Sequence, residues 1–139
     1  MFHMLSHTDG SGGHSLLVDG FEALDILRRE DYQAFKVLSK VSIPSHASGN
    51  EGITITPYKE FPVFNYISDD LVDSGFPAMI RWNNDDRGVV PLQSVDGSVV
   101  ADEWYTAARK WNEIITRRRS EYWVKLEPGR ALSMLFICA

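Results

Sequence analysis

Apolar and polar positions alternate in short runs along most of this chain and shift to helical spacing in two places. Phe2 to Ser6 is a mixed run compatible with a strand, and His7 to Gly13 has the Gly, Ser and Asp content of a loop. Gly12 and Gly13 open a tight turn. Ser15 to Val18 leave it as a strand, and Asp19-Gly20 turns that strand towards a helical stretch. The two strands are expected to form a hairpin. From Phe21 the spacing is helical: Leu24 and Leu27 share a face. Asp31 is the N-cap of a further segment carrying Tyr32, Phe35 and Leu38.

Pro44 and the polar run Ser45 to Asn50 mark a long loop. Ile53 to Thr56 alternates β-branched residues as a strand does, and Pro57 ends it. Val63 to Ile67 and Ala78 to Trp82 read as strands, with a loop over Asp69 to Pro77 between them. Asn83 to Gly88 is a turn, after which Val89-Val90 restarts a strand. The strongest helix spans Val100 to Arg119. Trp104, Ala107, Ala108, Trp111, Ile114 and Ile115 follow its i, i+3, i+4, i+7 spacing, which makes Trp104 and Trp111 core residues. Arg117 to Arg119 read as a solvated helix end, where cations oppose the negative pole of the helix. Tyr122 to Leu126 is a strand, Pro128-Gly129 a turn and Arg130 to Ile137 a last strand. Its Met134 to Ile137 portion has no charge and no proline, the mark of an aggregation-prone window, so poor solubility is expected. The sum is an α+β, mostly β fold with two flanking helical segments.

Composition narrows the function classes. A chain of 139 residues is one domain or a piece of one. A net charge of −5 gives no general attraction to nucleic acid. The longest apolar stretch, Ala131 to Ala139, is too short to span a bilayer, and no signal-peptide pattern opens the chain. Cys138 stands alone, which removes a disulfide framework and a cysteine-based zinc site and fits a reducing compartment. A cytoplasmic location is expected.

Four segments occur in one order and spacing: Leu16 to Phe21, Ile80 to Arg87, Trp104 to Ala107, and Tyr122 to Arg130. Together they resemble the trimethyllysine dioxygenase family, and less fully the gamma-butyrobetaine hydroxylases and the wider taurine-dioxygenase-like superfamily. The resemblance covers about residues 2 to 132. It implies a double-stranded β-helix, or jelly roll, only part of which is expected in residues 1–139. It also implies Fe(II), 2-oxoglutarate and ascorbate as cofactors and a small quaternary-ammonium amino acid as substrate. The family hydroxylates an unactivated C–H bond, for trimethyllysine in carnitine synthesis, and some members are mitochondrial. Its two-histidine, one-carboxylate iron site leaves three coordination positions open.

His7-Thr8-Asp9 matches the family's His-x-Asp motif by letter. A third ligand must come from a later strand, yet His14 is too near and His46 lies in a loop. The preferred reading assigns His7 to Asp9 to the Gly-rich loop; His7, Asp9 and His46 remain the alternative iron set. By the resemblance, the family's His-x-Asp pair precedes the strand at Phe2-His3, and its distal His and 2-oxoglutarate Arg follow Leu132. In this chain Ser133 to Ala139 follow instead, with no His or Arg. The chain is therefore expected to be an incomplete domain, inactive by itself.

Ser15 follows the glycine pair where the superfamily places a Thr or Ser that helps hold a carboxylate of 2-oxoglutarate; it is equally a strand-start Ser bonding its own turn. Asn83 matches a substrate-contacting Asn in the butyrobetaine enzymes and is also a plausible turn residue. Arg87 anchors its loop or pairs with a substrate carboxylate. Trp82 sits beside the candidate pocket, while Tyr58 and Tyr66 cannot be placed. Quaternary cations are held by aromatic faces, and the family's cage residues lie mainly upstream of Met1. A non-catalytic role, as a homo-oligomer or a partner of a full-length homologue, stays open, because unpaired strand edges seek partners.

Overall fold

The computed structural model describes residues 2–6, 9–48, 51–67, 72, 77–90, 92 and 101–132. Three α-helices form its centre. Helix α1 (Gly20–Glu30) starts where the Asp19 carboxylate accepts from the Phe21 and Glu22 N–H groups at 2.9 and 3.1 Å. It buries Ala23, Leu24, Ile26 and Leu27, the helical stripe of the sequence. Asp31 then serves two helices. Its N–H donates to Leu27 O and closes α1, and its carboxylate accepts from Ala34 N at 2.9 Å and opens α2 (Tyr32–Lys40). Helix α3 (Ala101–Ile115) buries Trp104, Ala107, Ala108, Trp111 and Ile114.

Helix α2 packs on both α1 and α3. The two alanines of α3 keep its surface low between the two indoles. Phe64 fills the joint, stacked on Phe35 of α2 at 5.9 Å and edge-on to Trp111 at 5.0 Å. Leu24, Leu27, Phe35, Leu38, Phe64 and Ile114 have no solvent-exposed surface. Burying each such side chain is worth ~1.5–3 kcal/mol.

Among the described residues the strands form four antiparallel pairs. β1 (Phe2–His3) pairs with β8 (Ala131–Leu132), and β2 (His14–Val18) with β7 (Glu121–Lys125), Leu16 opposite Trp123. β3 (Ala47–Ser48) pairs with β4 (Thr54–Ile55), and β5 (Phe64–Asn65) with β6 (Met79–Ile80).

Several expectations are corrected. The first two strands do not form a hairpin. The ten residues between them exceed the ~2–5 that hairpins favour, and each strand takes a partner from the far part of the sequence. Helices of 11, 9 and 15 residues outweigh strands of two to five, so the described residues form a mixed α/β fold rather than a mostly β one. Their small antiparallel sheets do not close, and only part of a jelly roll is expected of residues 1–139. Val89-Val90 is not a strand, although Val90 is buried in the core. Most of Asp69 to Pro77, and all of Met134 to Ile137, lie outside the described residues.

The arginine run is corrected at Arg117; Arg118 and Arg119 are exposed, as expected. α3 ends at Ile115, and Arg117 turns extended before a short 3-10 turn at Arg118–Ser120. Its guanidinium reaches back to α1, meeting both Glu30 carboxylate oxygens at 2.6 and 2.7 Å and Glu113 at 2.6 Å. Lys110 joins Glu30 at 2.8 Å. These contacts hold Glu30 down from its ordinary pKa of 4.5 to about 2, the Arg117 hydrogen bonds first and Lys110 second. Arg117 is a tie between helices, not a solvated end.

Candidate functional site

The segment that leaves α2 crosses the turn that leaves β6, and a cavity of about 420 Å³ opens between them. That size suits a small-molecule ligand. Ile43 bridges to Phe61 and Ser45 to Arg87. Backbone bonds lock the crossing: His46 N to Asp86 O at 2.9 Å and Gly88 N to Pro44 O at 2.7 Å. Gly88 is required there. A Cβ would lie 2.8 Å from Pro44 Cγ and 3.1 Å from Pro44 O.

Asn83 organises the turn. Its side-chain carbonyl accepts from Asp85 N at 3.1 Å, and its amide donates to Asp86 Oδ2 at 2.7 Å. Arg87 Nε donates to Asn84 Oδ1 at 2.9 Å. The walls are aromatic. Trp82 stacks on Trp104 at 6.5 Å, and Tyr58 meets Phe61 edge-on at 5.6 Å. Two guanidiniums lie on these rings. Arg81 is 4.1 Å from the Phe61 centroid, and Arg87 is 5.5 Å from that of Trp104 and 5.2 Å from that of Tyr105.

Of the residues singled out from sequence, Asn83, His46, Trp82, Tyr58 and Arg87 line this cavity. Ser15 does not. It sits half-buried in β2 opposite Val124, two residues beyond Gly13, whose φ of +81° makes the turn. Tyr66 packs against the core. Trp104 serves both as core and as cavity wall. Arg81 is the residue that sequence reading passed over. Its i, i+2 spacing from Met79, the first residue of β6, was the available signal; Arg81 follows the strand, and its Nε donates to Met79 Sδ at 2.9 Å.

A ferrous centre of two imidazoles and a carboxylate needs donors ~2 Å from one point. Among the described residues no group of three or more His, Cys, Asp or Glu side chains meets that need. They do not fit the ion. Asp9 is exposed in its loop, His46 is exposed at the cavity, and His7 lies outside the described residues. No helix among the described residues is long and apolar enough to cross a membrane.

The profile of the taurine catabolism dioxygenase TauD, TfdA family matches residues 1–133. Trimethyllysine dioxygenase of Neurospora crassa is 54% identical over 121 residues, which is 87% of this chain and 24% of that protein. The mitochondrial trimethyllysine dioxygenase of Homo sapiens is 36% identical over 138 residues, 95% of this chain and 30% of that protein. Gamma-butyrobetaine dioxygenase of Homo sapiens is 24% identical over 136 residues, 96% of this chain and 32% of that protein. The chain thus spans about a quarter to a third of the length of these relatives. With a match running from the first strand through the last, the chain belongs to the taurine catabolism dioxygenase TauD, TfdA family.

Proposed function

We propose that residues 1–139 are part of an iron(II)- and 2-oxoglutarate-dependent dioxygenase acting on trimethyllysine, and that the cavity at the Asn83–Arg87 turn faces this substrate. The observation that carries the proposal is the contrast in identity: 54% with the Neurospora crassa trimethyllysine dioxygenase against 24% with the human gamma-butyrobetaine dioxygenase. When bound, iron(II) with 2-oxoglutarate supplies the oxidation of an unactivated C–H bond. The described residues supply other functions. Ser15 offers a hydroxyl donor to a carboxylate of 2-oxoglutarate from the strand that follows the Gly12-Gly13 turn. Asn83 spends one amide hydrogen and one lone pair on its turn, which leaves one of each for a polar substrate end. That no three such donors converge among the described residues supports the reading that residues 1–139 do not hydroxylate trimethyllysine by themselves.

The test is titration of the chain with trimethyllysine and with gamma-butyrobetaine, read by tryptophan fluorescence. Mass spectrometry of the mixture with Fe(II), 2-oxoglutarate and ascorbate completes it. Saturable, tighter binding of trimethyllysine with no hydroxylated product is expected. Preference for gamma-butyrobetaine overturns the substrate, and turnover overturns the absence of catalysis in this chain.

A second reading, pairing with another copy or with a full-length homologue, is favoured by the β2–β7 ribbon. Leu16, Tyr122 and Trp123 are exposed there by 46%, 65% and 58%. Co-elution in size exclusion supports it; a monomer unaffected by the homologue removes it.

A further inference from the structure

We infer that a second cavity, between the Asn83–Arg87 turn and helix α3, is a binding site for a phosphate group, with Arg109 and Arg87 as its two cationic walls. The inference goes beyond the proposed function and does not rest on it: the occupant is neither the substrate nor 2-oxoglutarate. The cavity measures about 310 Å³, at the small end of ligand sites. One wall is a stripe of α3. Tyr105, Ala108, Arg109 and Asn112 follow i, i+3, i+4, i+7 spacing and so share a face. Ala108 has no side chain beyond Cβ, which leaves a hollow between its longer neighbours. The other wall is Asn84 and Arg87 from the turn. Trp104 is shared with the first cavity, whereas Asn84, Arg109 and Asn112 line only this one.

The lining is chemically one-sided. The chain carries 19 acids against 14 lysines and arginines, yet among the described residues that line this cavity none is Asp or Glu. Neither Arg87 nor Arg109 forms an ion pair among the described residues. Arg87 gives its Nε–H to Asn84 Oδ1 at 2.9 Å, which leaves its terminal nitrogens and the Asn84 amide hydrogens for a ligand. Arg109 makes one long bond, Nη2 to Thr106 Oγ1 at 3.3 Å. A second, independent observation points to an acceptor. Trp104 is 1% exposed, lines the cavity, and its indole N–H has no hydrogen-bond partner among the described residues. A buried donor left without an acceptor is costly, and a ligand oxygen would satisfy it.

Donors on two facing elements select the shape of the anion. A carboxylate has two oxygens in one plane and a single charge, and one guanidinium fork satisfies it. Two guanidiniums with amides between them match more oxygens and more charge. A phosphate group at neutral pH carries about −1.5 to −2 charges and three acceptor oxygens. Arg87 is already steadied for such a contact, 5.5 Å from the Trp104 centroid and 5.2 Å from that of Tyr105. Arg109 reaches the same space from the helix.

The experiment uses the full chain and four probes: inorganic phosphate, phenyl phosphate, acetate and 2-oxoglutarate. Ionic strength is held constant with chloride, because exposed charges are screened by salt. Binding is read from tryptophan fluorescence in wild type, Arg109→Gln, Arg109→Lys and Arg81→Gln, with a circular-dichroism melt as the folding control. Wild type is expected to bind phosphate saturably and at least about tenfold tighter than acetate, and Arg109→Gln to lose roughly tenfold in affinity, the lower end for a charge-assisted bond. Arg109→Lys is expected to recover part of that loss. Arg81 lines the first cavity and not the second, so Arg81→Gln is expected to bind phosphate as wild type does. Tighter binding of phenyl phosphate than of inorganic phosphate supports a phosphorylated small molecule as the source of the group, and equal binding supports free phosphate. No binding of phosphate by wild type, or equal binding of acetate, overturns the inference whether or not the variants fold. So does a folded Arg109→Gln of unchanged affinity, or loss of binding in a folded Arg81→Gln. Tighter binding of 2-oxoglutarate than of phosphate overturns it as well.

Discussion

Phe64→Ala tests whether one ring joins the helices to the β5–β6 pair. Phe64 has no exposed surface, and it stacks on Phe35 at 5.9 Å while standing edge-on to Trp111 at 5.0 Å. Truncating a fully buried Phe to Ala costs ~3–5 kcal/mol, through lost burial and the cavity left behind. Against a domain stability of ~5–15 kcal/mol, the variant keeps a fold with little margin. Phe64→Leu restores most of the volume and loses only the ring geometry. Each of the two aromatic pairs adds ~0.5–1.5 kcal/mol beyond burial, so the Leu variant should lose about 1–3 kcal/mol. Urea melts followed by circular dichroism and tryptophan fluorescence resolve the two. With a slope of ~1–3 kcal/mol per M, the Ala midpoint should fall by roughly 2 M and the Leu midpoint by about half of that. A loss below about 1 kcal/mol for Phe64→Ala would refute the reasoning, because a ring at that joint cannot be removed so cheaply from a packed core.

Three further outcomes are expected. Glu30 has its pKa lowered from 4.5 to about 2, so its ion pairs stabilise the fold fully above pH 4.5; that contribution fades as pH falls towards 2. Acid titration of the melting temperature should be shallower for Glu30→Gln over this window, and an unchanged slope would remove the tie from the stability argument. Gly88→Ala forces Pro44 to move, should cost ~1–3 kcal/mol by overpacking, and should weaken ligand binding at the cavity; a neutral melt contradicts the close approach. Asp31→Ala removes the cap of α2 and should cost ~0.5–2 kcal/mol, measured by urea melt, whereas Asp31→Asn should cost less.

Local chemistry in the sequence was legible, and distant pairing was not. Asp31 was readable as a cap because capping needs only the next three residues. The α3 stripe was readable because helical spacing repeats within one element. Leu16 opposite Trp123 and Glu30 with Arg117 are contacts between residues far apart in the chain, and no local spacing encodes them. The same holds for Arg117, whose run of three arginines has the composition of a solvated terminus. Two-residue strands such as β5 are too short to show alternation, so their limits were drawn too wide. At the cavity, the motif drew attention to Asn83 and Arg87. Their hydrogen-bond assignments depend on how the turn folds over Pro44, which the letters alone do not specify.

The antiparallel match of β2 with β7 also sets an order of events at the ribosome. His14–Val18 is synthesised roughly a hundred residues before Glu121–Lys125, an interval of about 5–20 s at ordinary elongation rates. Throughout that delay Leu16 and Leu17 have no strand to zip against. The helical unit α1–α2 can form meanwhile, but the ribbon must wait until Glu121–Lys125 has been translated. A nascent chain of this protein therefore depends on late residues to shelter early ones, the situation in which holdase chaperones act.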